Sequence, residues 1–411
     1  MICLHTSPTA SLGHSANGGL NVYVRELCLA LGRRGVATDI FTRRTGEGPD
    51  LEPLGPLGRV VYLPAGPPDA DKYRLLDYVP GFSEEVERWI TTSHHQYDLL
   101  YSHYWLAGMV ACCLRSWLGV PWVHTAHTLA VVKNRRLAPG DEPEPEIRVD
   151  LEGEISRCAD QLVVSTEAEA AELRRAYKVP RDRIFVVTPG CDPQTFKPMD
   201  QDLARGLVGQ EGRRPFLFVG RLERLKGVEV ILRALALVTQ AGRHPEARLL
   251  VLGEDSRTGG ESEKRRLMRL ACDLGLEDKV EFPGSVPQSK LPAYYAAAEA
   301  CLMPSYSESF GLVGLEAQAC GTPVVVSREA GLASLIRDGV TGFLVDGPDP
   351  EAYAAHMLRL LEEPDLSRRM GARAARLAGE LGWERSADRL LGCFDELMGH
   401  TGEDGRLEAG G

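Results

Sequence analysis

The sequence predicts two α/β domains in tandem, each a doubly wound parallel sheet, facing each other across a ligand cleft. Three observations carry this. Strand-like and helix-like segments alternate, the pattern of parallel strands joined by helices. The alternation breaks at Pro189-Gly190-Cys191-Asp192 and Phe196-Lys197-Pro198, then restarts. The 411 residues are also enough for two domains of ordinary size.

In chain order, residues 2–5 read as a strand. Gly18-Gly19 follow, then an amphipathic helix over 22–33. Short apolar runs predict strands at 36–42, 60–63 and 99–102. Residues 109–118 read as a helix, 122–125 as a strand, and 161–165 as a strand followed by an acidic helix. A strand at 184–187 closes the series. After the break comes a polar stretch, 199–215. The second series reads strand 216–219, helix 227–241, strand 247–252, helix 262–274 and strand 280–282. It continues as helix 291–298, strand 301–303, helix 312–319, and strands 324–326 and 342–345. The expected domains are 1–190 and 191–380. A helix over 381–398 is expected to cross back to the first domain, and a disordered tail to occupy 399–411.

The formal net charge of −11 argues against a nucleic-acid surface as the main role. The start of the sequence lacks the basic, apolar pattern of a signal peptide. No run reaches the roughly 18 apolar residues that span a membrane. The ten cysteines are scattered without a CxxC pair, which reads as free thiols in the reducing cytoplasm. The expected location is cytoplasmic. A homodimer is the candidate assembly, and the oligomeric state is not legible.

The most informative stretch is Glu308-Ser309-Phe310-Gly311-Leu312 with Glu316. A strand runs into a tight turn and then a helix, whose first amides form an anion site. Glu308 before the helix and Glu316 on its first turns place carboxylates on both sides of that site. This arrangement suits a ligand with phosphates in the middle and hydroxyls at both ends, as in a nucleotide-sugar. The alternative is a capped helix with surface glutamates. Arg221 and Lys226 follow the first strand of the second domain, where they would meet charge growing on a leaving diphosphate. Gly18-Gly19 lets backbone approach a phosphate, or is an ordinary turn. Neither domain has GxGxxG after its first strand, which argues against a nicotinamide oxidoreductase. Lys72, Lys133 and Arg148, if they converge with Tyr104 and Thr128, would hold a phosphate on a second substrate. His5, His103, His124 and His127 suggest zinc, but no helix-spaced or CxxC set accompanies them. No metal and no cofactor is expected.

These motifs resemble the retaining GT-B glycosyltransferases of the large family that includes sucrose synthases. The resemblance covers nearly the whole chain. Val219-Gly220-Arg221-Leu222 with Lys226-Gly227, and the stretch from Glu308 to Glu316, are its most specific parts. Within the family, the chain is similar to the D-inositol 3-phosphate glycosyltransferases of mycothiol synthesis. The supporting segments are His5-Thr6-Ser7-Pro8, Gly18 to Val24, Ser102 to Leu106, and His124 to Leu129 with Lys133-Asn134.

The resemblance implies that Lys72, Tyr104, Thr128 and Arg148 hold the acceptor phosphate, with Asn21 and His5 beside the acceptor. It implies that Arg221 and Lys226 bind the diphosphate, that Glu308 meets the transferred sugar, and that Glu316 binds the ribose. Gly19, Val286, Phe310, Gly311 and Leu312 complete the donor site. Thr322 and Tyr295 fall near it, and the main-chain carbonyl of His127 faces the sugar. Two features depart from the family: Leu20 stands where Met is usual, and the loop at 11–16 differs. Sucrose-phosphate synthases share the glycine-rich segment but usually carry Gln at position 20. The implied reaction is retaining, metal-independent transfer of N-acetylglucosamine from a UDP-sugar to a phosphorylated polyol such as inositol 3-phosphate. The alternatives are glucose transfer to fructose 6-phosphate, and a nucleotide-sugar-binding protein without turnover. The expected partners are thus small molecules: a nucleotide-sugar and a sugar or polyol phosphate.

Overall fold

The computed structural model describes residues 1–10, 18–240, 242, 244–255 and 262–404. The departure expected in the loop at 11–16 lies outside these. The strands of the first half are β1 (Thr38–Arg43), β2 (Leu51–Leu54), β3 (Gly58–Leu63), β4 (Leu100–His103), β5 (Trp122–Thr125), β6 (Gln161–Val164) and β7 (Ile184–Val186). Those of the second are β8 (Arg214–Val219), β9 (Ala247–Leu252), β10 (Val280–Gly284), β11 (Cys301–Met303), β12 (Val324–Ser327) and β13 (Gly342–Val345).

The first half pairs as β1-β3-β2 and β4-β5-β6-β7. Residues 2–5, expected as a full strand, make only two isolated bridges, both at Ile2. Ile2 pairs in parallel with both Phe41 and Ser102. Its amide donates to the Tyr101 carbonyl at 2.8 Å, and its own carbonyl accepts from the His103 amide at 3.0 Å. That one residue joins β1 to β4, so the two sheets act as one surface. β2 is an antiparallel edge strand that the expected parallel series lacks. Pro53 within it has no amide to donate, a loss tolerated only at an edge.

The second half is one six-stranded sheet, ordered β10-β9-β8-β11-β12-β13, with every pair parallel. Apolar clusters pack both faces of each sheet, as continuous apolar strands require. Several helices were not expected: Val79–Ser93, Ala130–Arg135, Glu146–Cys158, Pro350–Glu362 and Pro364–Ala378. The polar stretch at 199–215 is not a plain linker. It holds the helix Gln201–Leu207, whose first turn is capped by Asp200 Oδ1 accepting from the Leu203 amide at 2.9 Å.

The last helix, Trp383–Asp404, runs past the expected end at Met398, so the expected tail begins within it; residues 405–411 lie outside the described part. It packs on the first half against the helix Gly19–Arg33. The Trp383 ring meets Tyr23 edge-on at 5.5 Å, and Arg34 pairs with Asp388 at 2.8 Å. No helix among the described residues is long and apolar enough to cross a membrane.

Candidate active site

Each sheet reverses strand order once, and a gap opens beyond the carboxyl ends of the strands at that point. In the first half it lies between residues 2–5 and β4; in the second it lies between β8 and β11. A cavity of about 430 Å³ lies between the two halves, within the range of small-ligand sites. His5, Gly19, Lys72, Tyr104, His127, Thr128 and Arg148 line it from the first half. Arg221, Lys226, Val286, Glu308, Phe310, Gly311, Leu312 and Glu316 line it from the second.

At the second-half end, β8 gives way to Gly220 and Arg221, then to the short turn Arg224–Lys226. Gly227 follows at φ +70°, and a Cβ there would lie 2.2 Å from the Pro304 carbonyl oxygen. Only glycine lets this turn press against the end of β11. Lys226 Nζ thereby reaches Glu308 Oε2 at 2.6 Å. Arg221 pairs with Glu223 at 2.6 Å. Gly311 caps the helix Leu312–Ala319 at φ +98°, where a Cβ would meet Met303 Cε at 2.8 Å. The first amides of that helix have no intrahelical acceptor and, with the helix dipole, favour an anion. Glu316 lies further along the helix and is buried. Burial pushes its carboxyl up to about 7, against the donors Tyr295 and Gln288. Tyr295 donates to Glu316 Oε2 at 2.7 Å, and Thr322 donates to the Tyr295 carbonyl at 2.6 Å. Thr322 and Tyr295 therefore support Glu316 from behind and do not line the cavity.

At the first-half end, Arg148 projects from the helix Glu146–Cys158 and is only 1% exposed. Its guanidinium reaches Glu152 at 2.7 Å, Glu144 at 2.8 Å and Thr128 Oγ1 at 2.9 Å. It also lies 5.0 Å over the Tyr104 ring, which in turn lies 4.4 Å from the His5 ring. Lys72 Nζ is 3.1 Å from both Glu144 oxygens, and Lys133 pairs with the same carboxylate. At an effective dielectric near 20, two unit charges about 4 Å apart repel by about 4 kcal/mol, so such cations gather only around an anion. Burial would raise the Glu144 carboxyl, but Arg148, Lys133 and Lys72 together hold it well below the usual carboxylate range.

Asn21 is expected beside the acceptor; it lies between residues that line the cavity, with its own side chain hydrogen-bonded inward. The residue is fully buried and does not line the cavity. Its Nδ2 donates to Thr6 Oγ1 at 2.6 Å and to the Ser7 carbonyl, and its Oδ1 accepts from the Gly18 amide at 3.0 Å. A buried amide needs such partners, and these three hold it inward. Three of the histidines are also paired internally. His103 Nδ1 faces His127 Nε2 at 3.1 Å, and His124 Nδ1 faces Ser102 Oγ at 2.8 Å. Burial lowers His5, His124 and His127 to about 3 and His103 well below its usual value, so all four are neutral near pH 7. Among the described residues, no group of three or more His, Cys, Asp or Glu is placed to hold a metal ion.

Two family models match this chain. Residues 18–190 match the glycosyl transferase 4-like domain, and residues 201–377 match glycosyl transferases group 1. The D-inositol 3-phosphate glycosyltransferase of Thermomonospora curvata is 42% identical over 96% of this chain and 94% of its own. That of Corynebacterium jeikeium is 43% identical over 98% of each chain. The chain belongs to the GT-B glycosyltransferases, among relatives of the D-inositol 3-phosphate type. A solved sucrose-phosphate synthase from Thermosynechococcus elongatus superimposes with a TM-score of 0.89 at 33% identity, covering 97% of this chain and 98% of that one.

The cleft of this glycosyltransferase also contains residues that sequence reasoning missed. Tyr23 lines it and meets the His127 ring edge-on at 4.9 Å. Gln288 lines it and accepts from Arg25 of the opposite half. Tyr23 sits on the helix opened by the glycine pair, a signal in plain view. Gln288 had none, because its partners, Glu316 and Arg25 of the opposite half, are brought to it only by the fold. Glu144 was hidden in the acidic run Asp141-Glu142-Pro143-Glu144, which looks like a solvated loop.

Proposed function

We propose that this glycosyltransferase moves N-acetylglucosamine from UDP-N-acetylglucosamine to a hydroxyl of inositol 3-phosphate, retaining the anomeric configuration without a metal. The carrying observation is one cavity with two differently charged ends. Lys72, Arg148, Tyr104 and Thr128 gather at one, and Arg221, Lys226, Glu308 and Glu316 at the other. The first suits the phosphate of an acceptor; the second suits the diphosphate and ribose of a donor. The names of the relatives support inositol phosphate as the acceptor.

On donor binding, diphosphate oxygens replace Glu308 and Glu223 as partners of Lys226 and Arg221. Glu308 is then released toward the hydroxyls of the transferred sugar. The bond from the anomeric carbon to the diphosphate oxygen breaks as the bond to the acceptor oxygen forms on the same face. The acceptor proton passes to the leaving diphosphate oxygen, so no carboxylate nucleophile is required. Arg221, Lys226 and the helix start at Leu312 carry the charge that grows there, and the His127 carbonyl steadies the positive sugar. Closure of the two halves excludes water from the reacting carbon.

Glu316→Ala is expected to weaken UDP binding by about 1.5–3 kcal/mol, the usual worth of bonds to a charged group. Calorimetry with UDP checks this, and unchanged affinity would remove Glu316 from the ribose. With its carboxyl near 7, the affinity advantage of the unaltered protein over E316Q is expected to grow as pH rises through that value. Only the ionised carboxylate accepts from both ribose hydroxyls.

Inositol 3-phosphate is expected to exceed free inositol as acceptor by about a hundredfold or more, from two charge-assisted bonds of about 1.5–3 kcal/mol each. Released UDP measured across an acceptor panel tests this, and comparable rates would sink the phosphate reading. The sucrose-phosphate synthase likeness favours a second reading, with fructose 6-phosphate as acceptor. Leu20 lines the cavity at the position where sucrose-phosphate synthases usually carry Gln, which speaks for the first. Faster turnover of fructose 6-phosphate in the same panel would reverse the order. No donor consumption with any acceptor would favour a binding protein.

A further inference from the structure

We propose that Glu144 is a built-in counter-anion that limits how tightly the acceptor end holds a phosphate. It thereby keeps free phosphate out and lets phosphorylated product leave. This rests on reading that end as the acceptor-phosphate site.

The argument begins with the donors around one carboxylate. Lys72, Lys133, Arg148 and the Tyr73 hydroxyl all reach it. Its backbone is clamped by Asn134: the Glu144 amide donates to Asn134 Oδ1 at 2.7 Å, and Asn134 Nδ2 donates to the Glu144 carbonyl at 2.9 Å. Lys133 precedes Asn134 on the helix Ala130–Arg135, so one short element places both a cation and the clamp. Glu144 is only 7% exposed. Lys72, Lys133 and Arg148 line the cavity and Glu144 does not. The cations therefore face the ligand with the carboxylate behind them. This is neither a solvated surface pair nor a side chain occupying the ligand's place.

The charge balance sets the sign of the effect. Lys72, Lys133 and Arg148 stand against Glu144 and Glu152, leaving one net positive charge. A phosphate monoester brings about 1.5–2 negative charges at pH 7. With Glu144 ionised, the cations are already partly neutralised and the incoming dianion meets a fixed like charge nearby. Without it, the cluster would carry one more positive charge and would hold a dianion more tightly. Glu144 thus has two effects: it keeps the cations assembled when the site is empty, and it caps their hold on a phosphate when the site is filled.

The test is calorimetric binding of inorganic phosphate to the full chain, comparing the unaltered protein with E144Q. Phosphate is expected to bind E144Q about tenfold more tightly or better, because one opposing charge is removed at short range. In steady state the acceptor KM of E144Q is expected to fall together with kcat, as phosphorylated product leaves slowly, while the donor KM stays put. A merely structural role would raise the acceptor KM and leave phosphate binding unimproved. E144D keeps the charge but draws it back from the lysines, and is expected to show a smaller gain in the same direction. It serves as the reporter if E144Q does not fold. Equal or weaker phosphate binding in the variants overturns the proposal. Acceptor reading and counter-anion fail separately. If the unaltered protein prefers inositol phosphate over inositol but E144Q gains no phosphate affinity, only the counter-anion is lost. If E144Q gains affinity while the unaltered protein ignores the acceptor phosphate, only the acceptor reading is lost.

Discussion

Lys226→Ala and Arg221→Ala are each expected to lower turnover by about 10²–10³-fold, or about 2.7–4 kcal/mol, the cost of losing one preorganised donor at a developing charge. Both side chains line the cavity from the end of β8, beside the helix start at Leu312. Lys226 pairs with Glu308 and Arg221 with Glu223. Those carboxylates keep them in place at little cost, so the variants are expected to fold. Neither side chain is deeply buried, so loss of the ion pair itself should change stability by no more than about 1 kcal/mol. Released UDP gives kcat, and a thermal melt checks the fold. Near-normal turnover in a folded variant would contradict the diphosphate assignment. Because these cations supply the charge at the leaving group, activity is expected to survive EDTA, and loss of rate on chelation would count against the mechanism.

Arg148→Ala is expected to be costly in a different way. Arg148 is 1% exposed and is shared by Glu144, Glu152 and Thr128. Glu152 also accepts from the Ala130 amide at 2.8 Å and the Tyr177 hydroxyl at 3.1 Å, so it cannot simply turn to water. Breaking a buried pair from one side leaves an uncompensated charge and costs about 3–5 kcal/mol. For a domain of this size that lowers the melting temperature by about 2–4 °C per kcal/mol. The acceptor constant is expected to rise steeply and the donor constant to stay put. Arg148→Lys would keep the charge but not the fork that spans two carboxylates and Thr128, and is expected to restore little. A folded alanine variant with an unchanged acceptor constant would remove Arg148 from the acceptor site.

Much of the second half was legible because its chemistry is local. Arg221, Lys226, Glu308 and Glu316 sit within short segments at strand ends, and the strand-to-helix pattern places them there. The same local reading found most strands, since an apolar run bounded by turn residues is a short-range signal. It missed β2, where Pro53 hides an edge strand, and it over-read residues 2–5, which make two bridges at Ile2, one to β1 and one to β4. Helices such as Glu146–Cys158 went unseen because their mixed polar and apolar pattern is weak without the surface they pack on.

What the sequence determined by itself is the tandem of doubly wound domains and the residues carried at their strand ends, because backbone geometry and apolar periodicity are written within a few residues of each position. What only the tertiary structure decided is which of those residues meet. Glu144 and Arg148 are neighbours four residues apart, but Lys72 and Lys133 come from other segments, and Glu144 becomes the common anion of all three cations with its backbone clamped by Asn134. Asn21 belongs to a matching segment, and only the packed structure gives its side chain the partners Thr6 and Gly18. For Lys72, 72 residues from Glu144, distance along the chain carries no information about such convergence. It depends on where the whole sheet, once twisted and packed, sets down the ends of its loops.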